Sequence, residues 1–294
     1  MRVAKAGSQA ITLQGMTKAL SLLNRSPDAH KGSHGSVGIV GGAAGTVGAA
    51  FLSARSALFT GAGRVFVFRA DLSDGYVLDP QTPEVMVLPL DQLDKKPITS
   101  WVAGPGLGQS AKALAVLRGL LELHCPLLID ADALTLIGYH ADLADLCRDR
   151  TAETILTPHP GEAARLLATT VDTIQTNRLV AAESLVRRFR AIVVLKGHQT
   201  VIASPSHTAI TNHTGNPALA TAGTGDVLAG CIGALLGQGL SAFEAASLGV
   251  EIHGSAADSL VKAVGGMIGI SASELIPEMR RLLNALVAQA TGTA

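Results

Sequence analysis

Cysteine is scarce: three residues in 294, Cys125, Cys147 and Cys231, far apart and without any CxxC spacing. That excludes a disulfide frame or a zinc site, and all three read as small core residues of a cytoplasmic protein. Aromatic residues make up only 3% of the chain, too few for a base-stacking platform. Net charge is missing too. The 23 Lys and Arg balance the 23 Asp and Glu, so there is no electrostatic case for nucleic acid or a membrane surface. The uncharged stretch from Val227 to Phe243 is broken by Gln238, Ser241 and four glycines, and falls short of the ~18 residues a bilayer span requires. The opening "MRVAKAGSQAITLQG" holds no continuous apolar segment ending in a cleavage site, so no secretory signal is expected.

What is present is apolar bulk. With 48% apolar and 16% charged residues, the chain can bury a large core. Short β-branched runs alternate with helical patterns. "VGIV" (37–40), "RVFVF" (64–68), "EVMVL" (84–88), "WVA" (101–103), "PLLI" (126–129), "ETIL" (153–156) and "AIVVL" (191–195) read as strands. Several are apolar throughout, the mark of strands covered on both faces. Helices are expected over Val47–Thr60, Ala111–Leu123 and Asn177–Phe189, and from Leu275 to Leu286 along one face. "QTVIAS" and "HTAIT" around a Pro-Ser turn suggest a late hairpin. The rhythm implies an α/β fold with a mostly parallel sheet between helical layers. No repeat or linker interrupts it, so one domain is expected, with residues 1–30 and the tail after Leu286 as loose ends.

Loops at the carboxyl ends of parallel strands cluster on one edge, where ligands bind. "GGAAGTVGAA" (41–50) and "AGPGLG" (103–108) follow strands there. Each is either a tight structural turn or bare backbone suited to a ligand. "GQGLSA" (237–242) follows a helix and reads as its C-cap. "LLIDADAL" puts Asp130 and Asp132 at a strand end, where they can hold Mg²⁺ through water or cap the next helix. In "LTPHPGEAARLL", two prolines brace His159 on a rigid loop before a helix starting near Gly161, consistent with a ligand contact. Lys196, ending the strand in "VVLKGHQTVI", calls for an anion such as a nucleotide phosphate.

"ATAGTGDVLAG" (220–230) places Gly223, Thr224 and Gly225 ahead of an apolar helix, with Asp226 in its first turn. Converging N–H donors there form a hole for a phosphoryl group in transfer. The dipole tolerates the carboxylate. A carboxylate with an ordinary pKa near 4 is ionised, and can accept a proton from an attacking hydroxyl.

The ordered set "KGSHG…GG…GAA", "PEVMV", "GPGLG", "DADAL", "LTPHPGE", "VVLKGHQT" and "GNPALATAGTGDVLAG", from about Lys31 to Asp258, resembles the ADP/ATP-dependent NAD(P)H-hydrate dehydratases of the ribokinase-like fold. The resemblance implies repair of hydrated NADH or NADPH (NADHX, NADPHX), typically the S epimer. ADP is the usual cosubstrate in bacterial members; ATP is not excluded. Mg²⁺ and a homotetramer are also implied. Asp226 would be the base. Ala49, Gly106, His159 and Asp226 would contact the hydrate. Lys196, Gly197, His198, Gln199, Thr200 and Gly225 would grip the nucleotide, and Gly223, Thr224 and Gly225 would form the anion hole. Relatives are often fused to an N-terminal epimerase domain, whereas about 30 residues precede the first motif here, as expected for the dehydratase alone. The family's Gly-Met or Gly-Leu pair before "AT" appears as Ala218-Leu219. Two other readings share these motifs: a vitamin-precursor or sugar kinase of the same fold, and a catalytically silent nucleotide-binding protein.

Overall fold

The computed structural model describes residues 16–69 and 78–292. In chain order the helices are α1 (Thr17–Leu22), α2 (Val47–Phe59), α3 (Ala111–Glu122), α4 (Ala131–Tyr139), α5 (Ala141–Asp149), α6 (Pro160–Leu166), α7 (Val171–Thr176), α8 (Arg178–Phe189), α9 (Thr224–Gly237), α10 (Ala242–Val264) and α11 (Ala272–Thr291). The strands are β1 (Ser36–Gly41), β2 (Arg64–Arg69), β3 (Met86–Pro89), β4 (Ser100–Ala103), β5 (Leu127–Ile129), β6 (Thr154–Leu156), β7 (Ile192–Leu195), β8 (Val201–Ala203) and β9 (Ile210–Thr211). They form one sheet in the order β3-β2-β1-β4-β5-β6-β7-β8-β9, with β3 to β7 parallel and β8 and β9 antiparallel.

Alternation along each strand sends side chains to two cores. Val37, Ile39, Val102 and Leu128 point into the layer that also holds apolar residues of α1, α2, α9, α10 and α11. Val40, Trp101, Ala103, Leu127 and Ile129 point into the layer of α3 to α8. The strands are therefore apolar on both faces because helices cover both.

Several expected boundaries shift. Asn177 is not helical but caps α8, its Oδ1 accepting the Val180 N–H at 3.2 Å. The hairpin strands are shorter than expected, Val201–Ala203 and Ile210–Thr211. The loose ends are corrected where they are described. Ala19 and Leu20 of α1 are buried, and α11 continues to Thr291; the expectation for residues 1–15 lies outside the described residues. The sequence reading assigned no helix to 242–264, yet α10 spans it. Glycines interrupt its pattern because neighbours come too close for a side chain. A Cβ at Gly249 would meet Ile232 Cγ1 at 2.5 Å and one at Gly254 would meet Thr214 Oγ1 at 2.3 Å.

Candidate active site

Strand β1 has β2 on one side and β4 on the other, which makes its carboxyl end the switch point where a crevice opens. The loops after β1 and β4 are knitted together there. The N–H of Gly42 donates to Pro105 O (3.1 Å) and that of Ala43 to Gly106 O (2.6 Å). Thr46 Oγ1 also donates to Gly106 O at 3.1 Å. Gly106 has φ +61°, and a Cβ there would lie 2.3 Å from Thr46 O, so only glycine fits. The Ala49 N–H donates to the same Thr46 O at 3.2 Å. Ala49 and Gly106, both expected to contact substrate, thus both adjoin Thr46.

The charged centre is built from the ends of β5, β6 and β7. Lys196 Nζ donates to Asp130 Oδ1 at 2.5 Å, with the two side chains 18% and 2% exposed. The anion that Lys196 called for is therefore, in this structure, a carboxylate of the protein. Burial works against the lysine's charge, but Asp130, Glu162 and Asp226 outweigh it and raise its pKa. Glu162, buried beside this pair, is pushed up to about 7, chiefly by burial, with Lys196 opposing and Asp130 reinforcing the shift.

His159 and Glu162 form a reciprocal cap on α6. The N–H groups of Gly161 (3.0 Å) and Glu162 (3.4 Å) donate to His159 Nδ1, and the His159 N–H donates to Glu162 Oε2 at 2.8 Å. The imidazole is thus oriented by its own helix, as well as lying on the edge where substrate is expected. Burial first, then the charge of Lys196, lowers its pKa, with Asp130 opposing.

Asp130 and Asp132 part company. Asp132 Oδ2 accepts the Gly108 N–H at 2.8 Å, tying the loop after β4 to α4. No side chain caps α4, whose N-cap position is Asp130, so the capping role considered for Asp132 does not occur. Their joint hold on a metal ion gains no further ligands either. Among the described residues, no group of three or more His, Cys, Asp or Glu is arranged to hold an ion.

Helix α9 starts at this edge. Its N-cap, Gly223, has φ +90°, and a Cβ there would meet Leu52 Cδ1 at 2.5 Å and Ala272 Cβ at 3.2 Å. No side chain caps it; the Thr224 N–H makes a long bond to Thr221 O at 3.4 Å, while the other N–H groups that open the helix have no helical carbonyl behind them to bond. Thr224 has no free hydroxyl to offer. Its hydroxyl is spent on the turn, donating to Leu219 O (2.9 Å) and Thr221 O (3.0 Å). A Cβ on Gly225 would sit 3.5 Å from Lys196 Nζ and 4.0 Å from Asp130 Oδ2, so the start of α9 abuts the ion pair. Asp226 does not keep an ordinary pKa. Burial, then the like charge of Asp130, pushes it up to about 6, with Lys196 opposing and Asp132 adding a little.

Gly197, His198, Gln199 and Thr200 form the turn from β7 to β8, with His198 and Gln199 exposed at its tip. Thr200 Oγ1 donates to Gly197 O at 3.0 Å. Arg178, absent from the sequence reading, braces this turn from α8, its Nη2 donating to Leu195 O (2.8 Å) and Lys196 O (3.1 Å). Asp258 on α10, also missed, accepts from the Gly215 N–H (2.9 Å) and Asn216 Nδ2 (2.8 Å), holding the segment that leads to α9. Neither carries a local sequence signal, because each acts across at least seventeen residues of chain and from another element.

Comparison with known proteins adds four likenesses. Residues 37–280 match the NAD(P)H-hydrate dehydratase family. The ADP-dependent (S)-NAD(P)H-hydrate dehydratase of Neisseria meningitidis serogroup B is 44% identical over 264 residues, covering 88% of each chain. The bifunctional NAD(P)H-hydrate repair enzyme of Escherichia coli is 40% identical over 266 residues, 88% of this chain but 50% of that one, so this chain spans half its length. Among solved structures, the ADP/ATP-dependent NAD(P)H-hydrate dehydratase of Bacillus subtilis, co-crystallised with ATP and Mg²⁺, superposes with a TM-score of 0.82 at 27% identity, covering 96% of this chain and 99% of that one.

Proposed function

The chain belongs to the NAD(P)H-hydrate dehydratase family, and from that premise we propose that it uses ADP to repair the S epimer of hydrated NADH and NADPH, releasing AMP and phosphate. It is a nucleotide-dependent hydro-lyase on a ribokinase-like, three-layer α/β scaffold. The observation that carries the reading is the meeting of α9's uncapped first turn with Lys196, Asp130 and Asp226 at one sheet edge.

Asp226 accepts the proton of the ring hydroxyl as that oxygen attacks the terminal phosphorus. The phosphorus–oxygen bond to AMP breaks, and the migrating group lies against the amides of Gly223, Thr224 and Gly225, where developing charge is stabilised. The phosphate then leaves the ring carbon with loss of a neighbouring ring proton, restoring the double bond. A raised pKa suits Asp226 to this task, since a base works best when its pKa lies near the working pH.

Lys196, Gly197, His198, Gln199 and Thr200 hold the nucleotide with Gly225, while Ala49, Gly106 and His159 hold the hydrate. Lys196 exchanges part of its attraction for Asp130 for the phosphates. Asp130 and Asp132 would be the carboxylates to hold Mg²⁺ through water, and the ion would supply positive charge to neutralise the nucleotide phosphates. The chain acts as one domain, in the cytoplasm, as a homotetramer. The first point accords with the single sheet; among the described residues no helix is long and apolar enough to cross a membrane. Sedimentation equilibrium tests the third.

The test is to supply ADP or ATP, side by side, with hydrated NADH or NADPH resolved by epimer. Recovery of reduced-nicotinamide absorbance with AMP and phosphate from ADP is expected. A stable phosphorylated product would instead identify a kinase, and no nucleotide consumption a silent binding protein.

A further inference from the structure

His253 lies in the middle of α10, 7% exposed, between Ile252 and Gly254, with Val250, Glu251, Ser255 and Ala256 on the adjoining turns. Its Nε2 is 3.0 Å from Thr224 O. A carbonyl only accepts, so the ring carries its proton on Nε2 and donates. Burial, with the nearby charge of Lys196 adding to it, lowers the imidazole to about 4, so it is neutral and holds that single tautomer.

The bonded carbonyl belongs to the peptide unit Thr224–Gly225. A peptide unit is planar and trans, so its C=O and N–H point in opposite directions. Anchoring the oxygen therefore aims the Gly225 N–H and, through polarisation along the unit, strengthens it as a donor. Helix α10 is a firm mount: Gly254 presses on Thr214 with no room for a Cβ, and Asp258 grips Gly215 and Asn216 one turn on.

We propose that His253 is a positioning residue for phosphoryl transfer, fixing the peptide plane whose N–H faces the migrating group. This deepens the dehydratase reading of the same site and rests on it. The competing role is that of a satisfied core histidine. In that case leucine should serve nearly as well, because replacing a buried polar pair member by an apolar group of similar shape is close to neutral once the partner has another bond. The Thr224 carbonyl has one, in the ladder of its own helix.

The full chain, H253L and H253Q are compared; the glutamine amide can present N–H at the position of Nε2. The expected result is that H253L loses about tenfold or more in kcat, the scale of a weakened oxyanion donor. Its KM for ADP and for hydrated NADH should stay within roughly threefold, with no loss of thermal stability, and H253Q should recover most of the kcat. The Gly225 amide signal should shift on adding ADP in the parent and H253Q, and less in H253L. Unchanged kcat in H253L, or a loss that only tracks the folded fraction, overturns the proposal. If the parent itself fails to turn over hydrated NADH, the dehydratase reading falls instead. The ring's ¹⁵N spectrum then decides the His253 assignment separately: a neutral ring protonated on Nε2 supports it, and one protonated on Nδ1 overturns it.

Discussion

At the scale of single residues, Asp226 is a compromise between work and stability. Folding raises its pKa from 3.8 to about 6, so folding favours the protonated form. Its stabilising contribution is fully present below the unfolded value near 4 and is lost as pH rises through about 6. Asp226→Asn, which never ionises, should therefore match the parent at pH 4 and be more stable at pH 8, on the order of 1–3 kcal/mol after solvent screening, read by denaturant unfolding at both pH values. The same variant should keep ADP binding and lose at least ~100-fold in turnover, the low end for a missing general base. The parent's kcat/KM should fall on the acid side with an apparent pKa near 6. Full turnover in the asparagine variant would mean that another group takes the proton. Lys196 and Asp130 make a second residue-scale case. Removing the cation alone leaves a carboxylate 2% exposed with its partner gone, so Lys196→Met should cost about 3–5 kcal/mol. The double variant with Asp130→Asn should cost less than the sum. Because the lysine's pKa is raised, the lysine's share of this contribution is present below its free value and is lost as pH rises through the alkaline range. Additive losses would show that the two groups act independently.

At the scale of elements, the site depends on how deeply α9 is seated. It packs on α2 and the sheet through glycines: a Cβ on Gly230 would lie 1.9 Å from Ser53 O, and one on Gly233 would lie 2.3 Å from Val102 Cγ2. Ser56 Oγ then donates to Val227 O at 2.6 Å. Gly230→Ala must push backbone apart and should cost about 3 kcal/mol or more. Gly119→Ala on α3, where an added Cβ meets nothing within 4 Å, should stabilise by about 0.5–1 kcal/mol through helix propensity. Chemical denaturation of the pair separates close approach from propensity; a harmless Gly230→Ala would refute the packing argument. These glycines also explain what was legible at this scale. β1, β2, β4, β7 and α2 have periodic, flanked patterns that residue types reveal directly. α10 was missed because its glycines look like breaks when read singly, and become helix only against Ile232 and Thr214.

At the scale of the whole molecule, nucleotide bound to the folded state alone must stabilise every element it is coupled to. ADP at a hundred times its Kd should add about 2.7 kcal/mol, raising Tm by roughly 5 °C in a melt with and without ADP; no shift would argue against a nucleotide site. What the chain's order of residues determined by itself was the alternation of strand and helix, the crowding of polar residues at carboxyl ends of strands, and the resemblance carried by "LTPHPGE", "GPGLG" and "GTGDVLAG". Those are properties of neighbours in the chain, and short-range sterics and periodicity express them. Only the tertiary structure decided that Lys196 is paired with Asp130, that Asp226 sits near 6 rather than near 4, and that Arg178, His253 and Asp258 hold the site's turns. Charge coupling and desolvation act through space, between residues that the chain keeps as far apart as Asp130 and Asp226, and no local pattern encodes a distance across the sheet.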